Sequence, residues 1–193
     1  MERYLKVFLD ELPKQTIFND IEIVLEHNDP TEIEIFWVKQ FQAKYPGRLQ
    51  HNIVTPVTPI GVSMNKCIQL AKAPVVAIWN VDDLRTPDSL EKQVTFLEKN
   101  KDYGICHGNF VISTKFGERY GKLVDHSQYV DKHSELTRGM VIGPFFAWNK
   151  SLCTEVGYFD EQLKSGADFD LAIRLASVSK VGVVHGVLGY YLD

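Results

Sequence analysis

The sequence predicts an α/β domain in which a mixed, largely parallel sheet is flanked by helices. Over the first hundred residues, short β-branched or apolar runs alternate with segments whose apolar residues fall on one helical face. Beyond residue 100 the chain is richer in short strands, which makes the sheet mixed. A third observation is the apolar run 75–79, a buried strand that leads into an amide and two carboxylates.

Composition and charge fit one soluble domain and exclude several classes of protein. The 193 residues are 45% hydrophobic, enough for a core. A net charge of −4 without a Lys/Arg run argues against nucleic-acid binding. We expect no membrane span and no signal peptide, because neither apolar pattern is found in the sequence. The three cysteines are widely spaced, as reduced thiols of a cytoplasmic protein would be.

The first half of the chain is predicted to alternate helices with strands. The second helix has the clearest start, because the Thr31 hydroxyl and the Glu34 carboxylate can each satisfy a free backbone N–H. Its apolar face is predicted to hold Ile33, Trp37 and Phe41. The predicted elements are helix 4–12, strand 21–25, helix 31–45, strand 51–54, helix 61–72, strand 75–79 and helix 87–99.

The second half is predicted to contain more strands and a long polar loop. Residues 122–139 lack periodicity and are predicted to form a mobile loop. The helix 167–177 begins with an acidic stretch. The predicted strands are 103–106, 109–113, 181–184 and 187–191, and the apolar run 143–148 is predicted to be either a strand or a lining segment.

The carboxylates after strand 75–79 form the first candidate site. Strands of open α/β sheets present their carboxyl ends to the ligand crevice. Asp82 and Asp83 are hard oxygen ligands, suited to a Mg²⁺ or Mn²⁺ ion that also holds phosphates. The alternative is that two aspartates simply end a strand and begin a turn. Thr86 is predicted to cap the helix that follows.

A second acidic group opens helix 167–177. A carboxylate at a helix N-terminus is kept ionised by the helix dipole, so Asp168 could act as a general base toward a substrate hydroxyl. The alternative is that Asp168 only caps the helix. Asp170 and Arg174 are four residues apart and are predicted to form a structural ion pair. No histidine pair has ligand spacing, and no G-x-G-x-x-G follows a strand, which argues against a nicotinamide or flavin enzyme.

Four segments, taken in order, resemble the family 2 glycosyltransferases of the GT-A fold. The order and spacing of the segments are more specific than any one of them. They are the strand IEIVLEH at 21–27, the stretch GVSMNKCIQLAKAPVVAIWNVDD at 61–83, the loop VGYFDE at 156–161 and the helix start GADFDLAIRL at 166–175.

This resemblance implies a divalent metal, Mn²⁺ or Mg²⁺, at a D-x-D-type motif that binds the diphosphate of a nucleotide sugar. Asp83 would be the metal ligand, and Asp82 would contact the ribose or the metal. Asn80 would stand where the family usually has its first aspartate. Ala167 likewise replaces a usual glutamate before the base.

The resemblance also implies roles for residues elsewhere in the chain. Glu26 and His27 would lie beside the nucleotide base, and Asn65 would belong to the donor-binding set. Asp168 would be the base that deprotonates the acceptor hydroxyl, so that attack inverts the anomeric configuration. The partners implied are a nucleotide-diphosphate sugar donor and a saccharide or lipid-linked acceptor.

By this resemblance residues 1–193 form one GT-A-like domain. Residues 1–100 would be the nucleotide-sugar-binding half and residues 101–193 the acceptor-binding half. The family usually starts with a strand that precedes the first helix seen here, and we expect this domain to lack it. Its exposed strand edges would favour a homodimer.

Two other functions stay open at this stage. A non-catalytic GT-A-like domain could bind a partner or a nucleotide sugar without transfer, as the neutral Asn80 and the lacking strand suggest. A nucleotidyltransferase shares the α/β architecture and an acidic metal site, but it would require a Gly-rich basic N-terminal loop that is not found in the sequence.

Overall fold

A computed structural model describes residues 2–126, 136 and 142–193, and it confirms the mixed α/β architecture. The helices are α1 (Glu2–Glu11), α2 (Glu32–Lys44), α3 (Ile60–Leu70), α4 (Ser89–Lys99), α5 (Cys153–Val156) and α6 (Ala167–Val178). The strands are β1 (Ile23–Asn28), β2 (Leu49–Val54), β3 (Val75–Ala77), β4 (Leu84–Arg85), β5 (Tyr103–Ser113), β6 (Lys122–Val124), β7 (Ala147–Asn149) and β8 (Lys180–Leu192). Within the predicted loop 122–139, residues 122–124 form β6, and most of the remainder lies outside the described residues.

The described strands form two separate sheets. β1 and β2 pair in parallel, with Ile23 opposite Leu49 and Asn28 opposite Val54. The second sheet has the order β3-β7-β5-β8-β4, and β6 pairs with β5 outside this path. β5 and β8 are parallel, whereas β7 is antiparallel to both β3 and β5. Helix α3 packs on β1, and α4 packs on β5 and β8.

The long strands β5 and β8 differ from the prediction of two short strands each. The pairing of β5 with β8 shifts register at Gly108/Asn109 and again at Asn109/Phe110. The two strands continue to pair on both sides of these shifts. Gly186 adopts a φ of 93° in β8, which a glycine tolerates without strain. A local bulge therefore replaces the predicted break between strands.

Helix α2 begins as predicted, but its buried face is rotated. The Glu34 N–H donates to the Thr31 hydroxyl at 3.4 Å, and the Thr31 N–H donates to the Glu34 carboxylate at 3.0 Å. Glu34, Val38 and Phe41 face inward, whereas Ile33 is 40% exposed. The prediction that Ile33 lies in the core was wrong, because Glu34 is held inward by Thr31 and by His27.

Helix α4 begins two residues later than predicted. Leu84 and Arg85 pair with β8. This pairing keeps Thr86, the next residue, in line with the strand, so the helix cannot start there. The Thr86 N–H and hydroxyl donate to the carbonyls of Leu188 and Val187, both at 3.0 Å. Thr86 therefore ties the helix to β8 rather than capping it, and Asp88 occupies the N-cap position.

Among the described residues, buried apolar side chains form three clusters. One joins α1, α2 and β1 around Leu5 and Val38. The largest surrounds Trp148 and packs α6 on the second sheet. The rings of Phe145, Phe146 and Trp148 are buried and pack the core.

The three thiols are free, and none of them is fully exposed. Cys106 and Cys153 are buried and Cys67 is partly buried. Burial raises the pKa of Cys106 to about 12 and raises the pKa of both other thiols. Among the helices described, none has the length and apolar character needed to cross a membrane.

Replacing Leu5 should destabilise the protein because its side chain is fully buried, at 0% exposure. We expect Leu5→Ala to lower the free energy of unfolding by about 2–5 kcal/mol, the cost of lost contacts and a residual cavity. Leu123→Ala, at a site 52% exposed, is the control and should change little. Urea unfolding followed by circular dichroism measures both, and equal effects would contradict this packing of α1.

Candidate active site

The acidic turn after β3 is fixed at both ends. The Asp83 N–H donates to the Asn80 carbonyl at 3.1 Å, which closes the turn. The Trp79 indole N–H donates to the Asp83 carbonyl at 3.0 Å. β4 follows at once and pairs with β8, so the carboxylates are held beside the last strand.

Among the predicted site residues with a carboxylate, Asp83 is the most deeply buried. It is 3% exposed, and its two oxygens accept from the Leu192 N–H at 3.1 Å and from the Asn80 amide at 3.3 Å. Burial raises the pKa of Asp83 to about 6, and the charge of Asp82 adds to the rise. Asp82 itself is partly exposed at the turn.

Tyr191 shows that separate acidic groups meet in one region. Burial raises the pKa of its phenol, and the charges of Asp83, Asp193, Asp82 and Asp168 raise it further. The carboxylates predicted for the metal and for the base therefore lie near enough to one phenol for their charges to act on its pKa. Sequence reasoning missed Tyr191, because its position in a closing strand gave no sign of these long-range neighbours.

Asp168 lies in the first turn of α6, where the prediction placed it. Gly166 precedes it with a φ of 73°, a left-handed conformation that favours glycine. One Asp168 oxygen accepts from the Phe169 N–H at 2.9 Å, and the side chain is partly exposed. A free face of the carboxylate thus remains available to a ligand.

The loop before α6 is held by two polar side chains. Asn65 accepts from the Phe159 N–H at 2.8 Å and donates to the Phe159 carbonyl and the Glu161 carboxylate, both at 2.9 Å. Arg174 donates to the carbonyls of Val156 and Tyr158 and to Asp170, which confirms the predicted ion pair. Asn65 is largely engaged by protein, and its donor-binding role stays a prediction.

An open pocket of about 320 Å³ lies at the carboxyl ends of β1 and β2. Glu26 and Asn65 line it, together with Lys66, which the sequence reasoning did not single out. Burial raises the pKa of Glu26, and the nearby charge of Lys66 offsets part of the rise. The pocket is a second place where charged side chains meet solvent, at the edge of the sheet where ligands bind in α/β folds.

His27 points away from this pocket into the protein. Its side chain is fully buried, with Nδ1 at 3.1 Å from Nε2 of His51 and Nε2 at 3.5 Å from the Glu34 carboxylate. Burial lowers the pKa of His27, and Glu34 counteracts part of this effect. Its predicted place beside a nucleotide base therefore stays a prediction.

The acidic turn suits a hard cation that is bound together with phosphate. Among the residues described, no three His, Cys, Asp or Glu side chains are placed to hold a metal by themselves. Mg²⁺ is commonly held by one or two carboxylates and by substrate phosphates. Asp82 and Asp83 can supply that number, and a cation would favour the ionised form that burial of Asp83 opposes.

Two solved structures share the fold of this chain. Residues 1–349 of S. aureus TarS in complex with UDP-GlcNAc align with a TM-score of 0.79 at 17% identity, over 100% of this chain and 55% of TarS. The mannosyltransferase PcManGT from Pyrobaculum calidifontis, with GDP-Man and Mn²⁺, aligns with a TM-score of 0.70 at 16% identity, over 96% of this chain and 52% of that chain. At these identities the likeness shows the GT-A fold alone.

The sequence comparisons identify the family. Residues 2–157 match the model of glycosyl transferase family 2, so the chain belongs to that family. EpsE of Bacillus subtilis, assigned as a glycosyltransferase, is 28% identical over 123 residues, which are 64% of this chain and 44% of EpsE. The uncharacterised glycosyltransferase MJ1057 of Methanocaldococcus jannaschii is 24% identical in an alignment of 204 positions that covers 98% of this chain and 66% of MJ1057. The chain thus spans about half to two thirds of the length of these relatives.

The imidazoles of His27, which is fully buried, and of His51, which is partly buried, should make stability depend on pH. Burial lowers the pKa of both His27 and His51, so the unfolded chain takes up their protons more readily than the folded chain. The stabilisation is complete above about pH 6.5, the ordinary histidine value, and is lost as the pH falls through the lower folded-state pKa.

We expect the free energy of unfolding to fall between pH 7.5 and pH 5 and this fall to be smaller in His27→Gln. His185→Gln, at an exposed site, is the control and should keep the wild-type dependence. Urea unfolding at a series of pH values measures the effect. The same slope in His27→Gln and wild type would contradict the role of this histidine pair.

Proposed function

We propose that this protein transfers a sugar from a nucleotide-diphosphate sugar to an acceptor hydroxyl, with inversion at the anomeric carbon. The single observation that carries the proposal is that Asp82, Asp83 and Asp168 all lie close enough to Tyr191 for their charges to raise its pKa, in a member of family 2. Asp82 and Asp83 would act at the diphosphate of the donor, and Asp168 would act at the hydroxyl of the acceptor. TarS was solved with UDP-GlcNAc and PcManGT with GDP-Man, which supports a nucleotide sugar as the donor.

The donor would bind along the carboxyl ends of the strands. Asp83 would hold a Mn²⁺ or Mg²⁺ ion, with Asp82 and Asn80 beside the ribose and diphosphate. When bound, such a cation stabilises the negative charge that develops on the departing diphosphate. The pocket lined by Glu26 and Lys66 is a suitable place for the polar part of the nucleotide.

Asp168 would act as the general base. As the acceptor oxygen forms its bond to the anomeric carbon, its proton passes to the Asp168 carboxylate. The bond between the anomeric carbon and the diphosphate oxygen breaks, and the electron pair leaves with the diphosphate. Attack from the face opposite the leaving group inverts the configuration, and the acceptor would be a saccharide or a lipid-linked sugar.

A specific observation favours the alternative of a domain without transfer activity. Both oxygens of Asp83 already accept hydrogen bonds from protein donors, and the side chain is almost fully buried. If these bonds persist, Asp83 offers few lone pairs to a cation. Binding and transfer have therefore to be measured separately.

Donor binding should depend on Asp83 and on a divalent cation. We expect UDP, GDP or dTDP to bind in the presence of Mn²⁺, and Asp83→Asn to weaken binding at least tenfold because the variant has lost a charged ligand. Asp102→Asn, at an exposed site, is the matched control and should bind as wild type does. Isothermal titration calorimetry measures the affinities, and binding of none of the three nucleotides would reject the donor site.

Transfer should depend on Asp168 without a matching loss of donor affinity. We expect Asp168→Asn to reduce the turnover number by about 10²–10⁴-fold, since general bases contribute on that scale. Hydrolysis or transfer of the nucleotide sugar that binds in calorimetry provides the assay, and Asp102→Asn again provides the control. Turnover unchanged in Asp168→Asn would remove Asp168 as the base, whereas donor binding without any turnover in wild type would favour the non-catalytic alternative.

A further inference from the structure

The open pocket of about 320 Å³ at the carboxyl ends of β1 and β2 has polar groups on two of its walls. Glu26 of β1 and Asn52 of β2 line it from the sheet. Asn65 and Lys66 line it from α3. The pattern of donors and acceptors on the sheet side indicates which ligand the pocket suits.

Glu26 and Asn52 are direct neighbours in the parallel pair of β1 with β2. Neighbouring strands lie about 4.8 Å apart, and side chains at paired positions extend from the same face of the sheet. That face is the one covered by α3, because Asn28, two residues beyond Glu26, donates to the Ser63 hydroxyl at 2.8 Å. A carboxylate and an amide therefore lie side by side in the pocket.

The Asn52 side chain has a donor that the described residues do not use. Its oxygen accepts from the Gln50 side chain at 3.3 Å. Its Nδ2 is buried and has no hydrogen-bond partner among the described residues. A buried donor without a partner is costly, so a ligand that brings a carbonyl oxygen to Nδ2 is favoured.

The Glu26 side chain supplies acceptors beside that donor. It is partly exposed, and an ionised carboxylate has two acceptor oxygens and no donor. Burial raises the pKa of Glu26, whereas the nearby charge of Lys66 favours the ionised form. The sheet wall of the pocket therefore presents two acceptors next to one donor.

Guanine is the common nucleobase whose edge matches this order. It has two adjacent donors, N1–H and the 2-amino group, next to the O6 carbonyl. Adenine and cytosine each have a single amino group on this edge. Uracil and thymine have one N–H between two carbonyls, so one carbonyl would face the carboxylate. Among the five common bases, guanine alone satisfies both carboxylate oxygens and the amide donor together.

The pocket is joined to the proposed catalytic groups on two sides. Glu161 lines it and accepts from Asn65 at 2.9 Å, and Glu161 belongs to the loop that leads to α6 and Asp168. Trp79, at the start of the acidic turn, packs against the apolar cluster that contains Leu25 of β1. The acidic turn and the start of α6 are therefore both connected to elements that form the pocket.

We propose that this pocket holds the base of the donor nucleotide and selects guanine. The Glu26 carboxylate accepts from N1–H and from the 2-amino group, and the Asn52 amide donates to O6. This inference rests on the proposed function and adds the identity of the donor, which is a guanosine-diphosphate sugar.

Inosine diphosphate is the sharpest probe, because its base is guanine without the 2-amino group. We expect GDP with Mn²⁺ to bind roughly tenfold more tightly than inosine diphosphate, since a bidentate contact discriminates between bases on about that scale. UDP, dTDP, CDP and ADP should each bind at least tenfold more weakly than GDP for the same reason. Isothermal titration calorimetry on the full chain measures all six affinities.

Two substitutions that keep the size of the side chain test the two residues separately. Glu26→Gln replaces one acceptor with a donor, and we expect the ratio of GDP to inosine diphosphate affinity to fall below threefold. Asn52→Leu removes the donor to O6, which both nucleotides carry. It should weaken both about fivefold, the scale of one neutral hydrogen bond, and leave their ratio unchanged.

Glu32→Gln is the matched control for the carboxylate, because Glu32 is exposed and does not line the pocket. It should keep the wild-type affinities and their ratio. Thermal melts followed by circular dichroism verify that the three variants are folded. A change of the ratio in Glu32→Gln equal to that in Glu26→Gln would overturn the role of Glu26.

The selection of guanine is also overturned if wild type binds GDP and inosine diphosphate within twofold of each other. Tighter binding of UDP, dTDP, CDP or ADP than of GDP overturns it too, but leaves the donor site and the proposed transfer in place. Binding of none of the nucleotides rejects the donor site together with this inference. GDP-selective binding without any turnover supports the selection of guanine and contradicts transfer, so the two proposals fail separately.

Discussion

The hydrogen bond from the Leu192 N–H to the Asp83 carboxylate joins the acidic turn to the last strand. Asp83 and Leu192 are far apart in sequence, and the geometry of the site depends on their meeting. Since Leu192 is fixed in β8, its neighbour Tyr191 is brought among the carboxylates of the turn and of α6. Burial is what raises the pKa of the Asp83 carboxyl group, and the hydrogen bond from Leu192 offsets part of this rise.

The sequence predicted those features that depend on nearby residues. The alternation of α1 to β3, the capping box at Thr31 and the pair Asp170–Arg174 all arise within a few residues of one another. Thr86 was misassigned because its partner is the distant strand β8. Ile33 was misassigned because the buried face of α2 is set by Glu34 and its contact with His27. The sequence pattern around Thr86 or Ile33 carries no information on the contact of Thr86 with β8 or of Glu34 with His27.

The candidate site was predictable in its acidic residues but not in its arrangement. Asp82, Asp83 and Asp168 stood out by type and position in the chain, whereas the shared neighbour Tyr191 did not. The structure also shows that two polar side chains, Asn65 and Arg174, shape the loop before α6 through its backbone. A substitution at either position would disturb Asp168 through the start of its helix, without a direct contact to any ligand.

The raised pKa values of Cys67, Cys106 and Cys153 have a practical consequence. A thiol reacts with alkylating reagents through its thiolate, so all three are poorly reactive at neutral pH, and burial shields Cys106 and Cys153 further. A cysteine introduced at an exposed position would react far faster than these native thiols. Spectroscopic labels could therefore be attached to the two sheets of the wild-type background, and the distance between the sheets followed without first removing a native cysteine.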